Sequence, residues 1–214
     1  MDPDFWKARW ESGQIGFHEG RPNRYLERYA ARLGAAKRVL VPLAGKAFDM
    51  AFLARLGHQV VGVELSELAG RAFFDEHGLV PREERRGSFT WLSGAGVELF
   101  IGDFFETTRE LLGPVDAFYD RAALVALPSE LRPRYVKHVR SLLASDAPGL
   151  VVTFEYDQTA MSGPPFHVPE DEVRREYSGA QVELLEREPA DFPRARATGT
   201  AVVECCFAVN APER

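Results

Sequence analysis

Gly45 and Glu64 stand nineteen residues apart in the stretch VLVPLAGKAFDMAFLARLGHQVVGVELS, residues 39–66. The glycine sits in a turn between an apolar strand and a helix, and the acid closes the strand that follows. An acid about 20 residues past such a turn is placed to accept hydrogen bonds from a pair of ribose hydroxyls. The chemistry open to this pair is therefore nucleoside binding. A dinucleotide fingerprint wants three glycines where this turn offers one, and a phosphate loop wants Gly and Ser or Thr where the chain has Leu40 and Ala47. S-adenosylmethionine suits the site better than NAD or ATP.

Other residues carry chemistry of their own. Asp103, after Gly102, ends a strand where it either accepts from an adenine amino group or caps a helix over Phe104 to Leu112. Arg121 also ends a strand, and its permanent charge suits an anionic substrate or a cofactor carboxylate; the alternative is a salt bridge to Asp120 or Glu64. GQIGFH supplies Phe17 and His18, an apolar and a polar residue on a flexible stretch, as in a movable pocket wall. Trp6 and Trp10 on the preceding helix either staple it to the core or form a lid. Pro164 and Pro165 stiffen a loop that presents Phe166 toward a pocket. No nucleophile-base-acid set is visible. Cys205 and Cys206 are adjacent and point to opposite sides of a strand, so they make neither a disulfide nor a zinc site by themselves; they read as reduced core residues, and no metal is expected.

The elements that position these residues follow from periodicity. Val39 to Val41 is a strand, Phe48, Phe52, Leu53 and Leu56 mark a helix, and Gln59 to Val63 is the next strand. Ser66 caps a helix over Glu67 to Glu76. Leu79 to Gly87 reads as a charged, solvated loop, and Phe89 to Leu92 with Val97 to Ile101 as a hairpin. Val115 to Tyr119 and Leu150 to Phe154 are strands flanking a helix over Leu131 to Leu143. A helix follows Pro169. Then come a strand over Gln181 to Glu186, a polar loop with Arg194 and Arg196, and a last strand over Gly199 to Val209. Two helices, Asp4 to Ser12 and Asn23 to Leu33, precede everything else. The pattern predicts an α/β fold with about seven strands in the main sheet.

Composition narrows the partners. With 214 residues, 45 % hydrophobic and 27 % charged, the chain is expected to form a single domain over residues 1–214. A net charge of −6 gives no electrostatic footprint for nucleic acid or an anionic membrane, which leaves a small-molecule substrate. The start, MDPDFWKARW, lacks a basic region followed by an apolar stretch, and no apolar run approaches the ~18 residues of a membrane span, so a cytoplasmic protein is expected.

The ordered set FWKARW, GQIGFH, VLVPLAGKAFDM, GHQVVGVELSELAGRAFF, YDRAALVALP and GPPFHVPEDEV resembles the thiopurine S-methyltransferase family, its bacterial branch in particular. The resemblance implies a seven-stranded, doubly wound, Rossmann-like fold of S-adenosylmethionine-dependent methyltransferases, mostly parallel with an antiparallel last strand. Residues 1–34 would form an N-terminal helical lid. The implied activity is methylation of aromatic and heterocyclic thiols such as thiopurines, with S-adenosylhomocysteine as product; the bacterial branch adds selenium and tellurium compounds and a link to their detoxification. Carried across by position, Trp10, Leu43, Glu64 and Arg121 contact the cofactor, Gly45 gives close approach, and Gly102, Asp103 and Phe104 lie near the adenine. Phe17, Arg121 and a loop arginine, Arg194 in preference to Arg196, face the substrate. Arg121 holds the acceptor as an anion. The family also suggests a monomer. One departure is Ala44, where the family usually has Cys; it reads as a packing change. The rival readings are a nicotinamide-dependent oxidoreductase and a non-catalytic S-adenosylmethionine-binding module.

Overall fold

Val39, Leu40 and Val41 form a strand with both faces covered, Val39 and Val41 on one side and Leu40 on the other, each 3 % exposed or less. Continuous apolar runs of this kind belong to parallel sheets sandwiched between helices. In the computed structural model, which describes residues 3–35, 37–191 and 193–210, this strand is the centre of a nine-stranded sheet. In chain order the strands are β1 (Arg38–Pro42), β2 (Gln59–Glu64), β3 (Arg82–Arg86), β4 (Phe89–Gly94), β5 (Val97–Ile101), β6 (Ala117–Arg121), β7 (Gly149–Glu155), β8 (Gln181–Ala190) and β9 (Val202–Asn210). Their spatial order is β3-β4-β5-β2-β1-β6-β7-β9-β8. The five inner strands from β5 to β7 are parallel, and antiparallel pairs finish both edges.

The α/β class holds, and the expected count of seven is corrected to nine. The main cause is Arg82–Arg86, read as a loop and found as the edge strand β3. Its REERR sequence has no apolar alternation because all but one of its residues are exposed. Arg71 and Glu83, and Arg86 and Glu84, pair across or along it. Charges on an edge strand discourage pairing with another chain. At the opposite edge β8 runs four residues beyond its expected end, held by β9 as far as the Ala190–Val202 pair. Two further expectations are revised. Phe104 to Leu112 is two short turns, Phe104–Glu106 and Arg109–Leu112, and the polar loop carrying Arg194 holds a helix, Pro193–Thr198.

Helices Phe48–Arg55, Glu67–Glu76 and Arg132–Leu142 cover the faces and make the crossovers that parallel pairing requires. Ser66 does cap its helix, its hydroxyl accepting from the Ala69 amide at 3.3 Å. The consequence for function is at the carboxyl ends of β1, β2, β6 and β7, which lie side by side. Because β9 runs antiparallel, its beginning reaches the same end, with Glu204 beside Phe154 of β7. The N-terminal helix Pro3–Glu11 and the segment after it fold over this end. Among the described residues no helix is long and apolar enough to cross a membrane.

Candidate active site

The turn after β1 is built from two left-handed residues, Leu43 at φ 48° and Gly45 at φ 55°. Glu64, at the end of β2, holds that turn. Its Oε2 accepts from the Gly45 amide at 2.8 Å and its Oε1 from the Ser66 amide at 2.7 Å. Burial raises the pKa of this carboxyl, and the backbone hydrogen bonds oppose the rise. A carboxylate has about four lone-pair positions, so two remain after the amides are served. Glu64 lines a cavity of ≈ 700 Å³ over the strand ends, within the ~300–1,000 Å³ usual for small-molecule sites.

Trp10 is the roof over the turn. Its ring lies 3.1 Å from the point where a Cβ on Gly45 would stand. Phe17 joins it edge-to-face with centroids 5.5 Å apart, and Trp6 meets Phe17 at 5.8 Å. All three aromatics line the cavity. Such edge-to-face pairs contribute ~0.5–1.5 kcal/mol each beyond buried area.

Arg121 latches this roof to the sheet. Its Nη1 donates to the Phe17 carbonyl at 2.8 Å and its Nη2 to Glu19 Oε1 at 2.5 Å. Neither Asp120 nor Glu64 is its partner. Asp120 is fully buried, accepts from the Tyr135 hydroxyl at 2.7 Å and the Leu124 amide at 3.0 Å, and burial pushes its pKa up to about 6. Burial opposes the charge of Arg121, but Glu19 and Asp49 outweigh it and raise the guanidinium pKa. Its Nε is buried and has no hydrogen-bond partner. The next residue, Ala122, is left-handed at φ 71° and lines the cavity too. Non-glycine residues in this region cost about 1–3 kcal/mol and concentrate where a chain must present groups to a ligand.

The far wall comes from later in the chain. Pro164 and Pro165 face the cavity, and Arg194 ties helix Pro193–Thr198 to them by donating to Pro164 O at 3.1 Å and Ser162 O at 2.6 Å. Arg194 stands on the cavity wall, whereas Arg196 pairs with Asp191 at 3.2 Å and is not among the lining residues. Phe166 is not among the residues that line the cavity. Its ring fills the space against Gly163, 2.3 Å from that residue's absent Cβ.

The structure thus brings Trp10, Phe17, Leu43, Gly45, Glu64, Arg121 and Arg194 to one cavity. His18 lines a smaller neighbouring space of ≈ 40 Å³ with Lys46 and Phe48, and burial lowers its pKa, with Lys46 adding to the effect. Gly102, Asp103 and Phe104 stand off the wall. The Gly102 amide donates to Glu64 O at 2.8 Å, and a Cβ there would meet Phe89 at 2.5 Å. Asp103 caps the turn that follows, accepting from the Phe105 amide at 2.9 Å. Phe104 is buried against Tyr135 and His138. Among the described residues no group of three His, Cys, Asp or Glu is placed to hold a metal.

Several lining residues have no assignment from sequence, the acids Glu19 and Glu204 among them. Glu19 follows the GQIGFH stretch and shows no pattern of its own. Glu204 is an acid within an otherwise apolar strand, VVECCFAV, and that anomaly was the available signal. Its Oε2 is bound by Arg24 at 3.0 Å, and burial raises its pKa against the pull of Arg121 and Arg24.

Comparison with known proteins bears on this site. A family model described as Thiopurine S-methyltransferase (TPMT) matches residues 1–210. The chain is 50 % identical over 190 residues to a thiopurine S-methyltransferase of Pseudomonas aeruginosa (strain UCBPP-PA14), covering 87 % of each. It is 49 % identical over 185 residues to one from Xanthobacter autotrophicus, covering 85 % of this chain and 86 % of the relative. Among solved structures, it resembles the Burkholderia thailandensis 1,6-didemethyltoxoflavin-N1-methyltransferase with bound S-adenosylhomocysteine (TM-score 0.64, 17 % identity, covering 98 % of this chain and 87 % of that one). An S-adenosylmethionine-dependent methyltransferase from Anabaena variabilis gives the same TM-score at 12 % identity, covering 98 % and 95 %. The structural likenesses establish the methyltransferase fold.

Proposed function

The chain belongs to the thiopurine S-methyltransferase family, and on that footing we propose that it transfers a methyl group from S-adenosylmethionine to the sulfur of aromatic and heterocyclic thiols. The observation that carries this reading is the buried Glu64 carboxylate at the end of β2, bridged to the Gly45 turn and roofed by Trp10.

The residues present fit a nucleoside-bearing donor. Glu64 keeps lone pairs for the ribose hydroxyls, Leu43 and Gly45 give a backbone wall without bulk, and Trp10 covers that wall. When bound, S-adenosylmethionine supplies an electrophilic methyl on a sulfonium and leaves as S-adenosylhomocysteine.

The chain's own residues then have three tasks. The first is alignment, which for well-oriented partners lowers a barrier by roughly 7–11 kcal/mol. Leu43, Glu64 and Trp10 fix the donor, while Phe17, Pro164, Pro165 and Arg194 bound the acceptor's space. The second is exclusion of water by the Trp6, Trp10 and Phe17 roof, which strengthens the attraction between an anionic sulfur and a cationic donor. The third is charge. Arg121, largely buried and permanently cationic, stands on the wall an anionic acceptor would meet. No nucleophilic side chain is needed, since the acceptor's sulfur is the nucleophile.

The acceptor is a small thiol, with selenium and tellurium analogues in the same class, and the chain works as a monomer in the cytoplasm. Neither a nicotinamide-dependent oxidoreductase nor a non-catalytic binding module is favoured by the family to which the chain belongs. The test is mass-spectrometric detection of S-methylated product from 6-mercaptopurine or thiophenol with S-adenosylmethionine. Methylated product is expected. Donor binding without any methylated acceptor, across thiols, selenols and tellurite, would refute the proposal.

A further inference from the structure

Acceptor sulfurs arrive in two chemical forms. A simple aromatic thiol ionises in water and enters as a thiolate. A heterocyclic thione carries N–H beside C=S, and S-methylation makes a cation unless that N–H proton leaves. The cavity already holds Arg121 and Arg194 and, under the function proposed above, a sulfonium. A further cation is unfavourable there, so a proton acceptor on the wall has work only with thiones.

Four acids line the cavity, and they are differently committed. Glu64 gives both oxygens to backbone amides on the donor side. Asp191 pairs with Arg196 and its side chain is 69 % exposed. Glu204 sits on β9 with Oε2 on Arg24. Glu19 is two residues from Phe17 on the roof segment, with Oε1 on Arg121 Nη2 and no hydrogen bond on Oε2 among the described residues. Its side chain is 37 % exposed, enough to pass a proton on to water. The ionisable groups facing it are Arg121 and Tyr119 from β6, Asp49 from helix Phe48–Arg55, Glu204 from β9, and His18 of its own segment.

We propose that Glu19 is the proton acceptor for thione substrates, its Oε2 taking the ring N–H proton on binding, before the sulfur is methylated. This rests on the methyltransferase reading. The N–H bond breaks to Glu19, its electron pair moves into the ring C=N bond, and the C=S pair forms the new S–CH3 bond. The donor's C–S bond leaves its electrons on the neutral thioether of S-adenosylhomocysteine. Glu19, now neutral, returns its proton to solvent at the cavity mouth. Arg121 fixes the carboxylate through Oε1 and so aims Oε2.

The test uses the full chain and the variants Glu19→Gln and Glu204→Gln. Glutamine at 19 keeps an oxygen for Arg121 and cannot accept a proton. Turnover of 6-mercaptopurine relative to thiophenol falls about 10²-fold in Glu19→Gln and recovers as pH rises and the thione ionises in solution. A second readout needs no turnover. With S-adenosylhomocysteine present, the absorbance of bound 6-mercaptopurine near neutral pH reports the ionised form in the wild type and the neutral thione in Glu19→Gln. An unchanged turnover ratio with unchanged absorbance overturns the proposal, as does loss of the ratio in Glu204→Gln alone. If the wild type methylates neither acceptor, the methyltransferase reading fails, and the absorbance comparison still decides whether Glu19 takes the proton.

Discussion

The Trp10 ring lies 3.1 Å from where a Cβ on Gly45 would stand, so the roof and the strand-end turn are in contact through the absence of a side chain. Gly45 also sits at φ 55°, where an alanine costs ~1–2 kcal/mol. Gly45→Ala is therefore expected to lower stability by that amount and to push Trp10 a few tenths of an ångström outward. Denaturant titration measures the first effect. Calorimetry with S-adenosylhomocysteine measures the second, with weaker binding expected; unchanged binding would show that Trp10 does not close on the donor.

Glu64 connects the donor side to the backbone. Removing its carboxyl strands two amides, those of Gly45 and Ser66, and removes the acceptor proposed for the ribose. Glu64→Ala is expected to raise the dissociation constant for S-adenosylmethionine at least tenfold, about 1.4 kcal/mol. An unchanged constant by calorimetry would end the ribose assignment.

Much of this was legible because local and tertiary demands coincide. Val39 to Val41 had to be buried on both faces, Ser66 had to cap a helix, and Gly45, Glu64 and Arg121 sit at strand ends, where α/β sheets bind ligands. Where the two demands part, the sequence is silent. The β3 strand carries the charges of a loop because both of its faces meet water. Helix Pro193–Thr198 is too short to show a period. Asp103 is the right residue type at a strand end, yet its Oδ1 is bound to the Phe105 amide, a local contact that wins over the cavity. Glu19 acquires its place only because Arg121, 102 residues later, reaches it.

Arg121 joins roof and sheet through Phe17 and Glu19. Because the Glu19 side chain is 37 % exposed, water screens the pair and its loss costs global stability only about 1 kcal/mol. Arg121→Ala is expected to reduce turnover far more than that figure suggests, because it removes both the roof latch and the charge proposed to face the acceptor. Trypsin should also cut sooner at Arg9, at the start of the freed segment. Normal turnover with faster cleavage would leave Arg121 a latch alone.

Asp120 offers a pH test of the core beneath the site. It is fully buried, and burial pushes it up from the ordinary 3.8 to about 6, with the Tyr135 hydroxyl and the Leu124 amide opposing the shift. A carboxyl whose folded pKa exceeds its unfolded one stabilises the fold when protonated, and the benefit disappears as pH rises through the folded value. The contribution is full below pH 3.8 and lost above about 6, a swing of roughly 3 kcal/mol at most. Other groups titrate in this window, His18 among them and in the opposite sense, so the informative quantity is a difference. Asp120→Asn keeps an oxygen for Tyr135 and does not ionise. The stability of the wild type minus that of Asp120→Asn should fall between pH 4 and pH 7 in parallel denaturant titrations. A flat difference would mean that Asp120 stays ionised inside the core, with Tyr135 and Leu124 holding the charge that burial opposes.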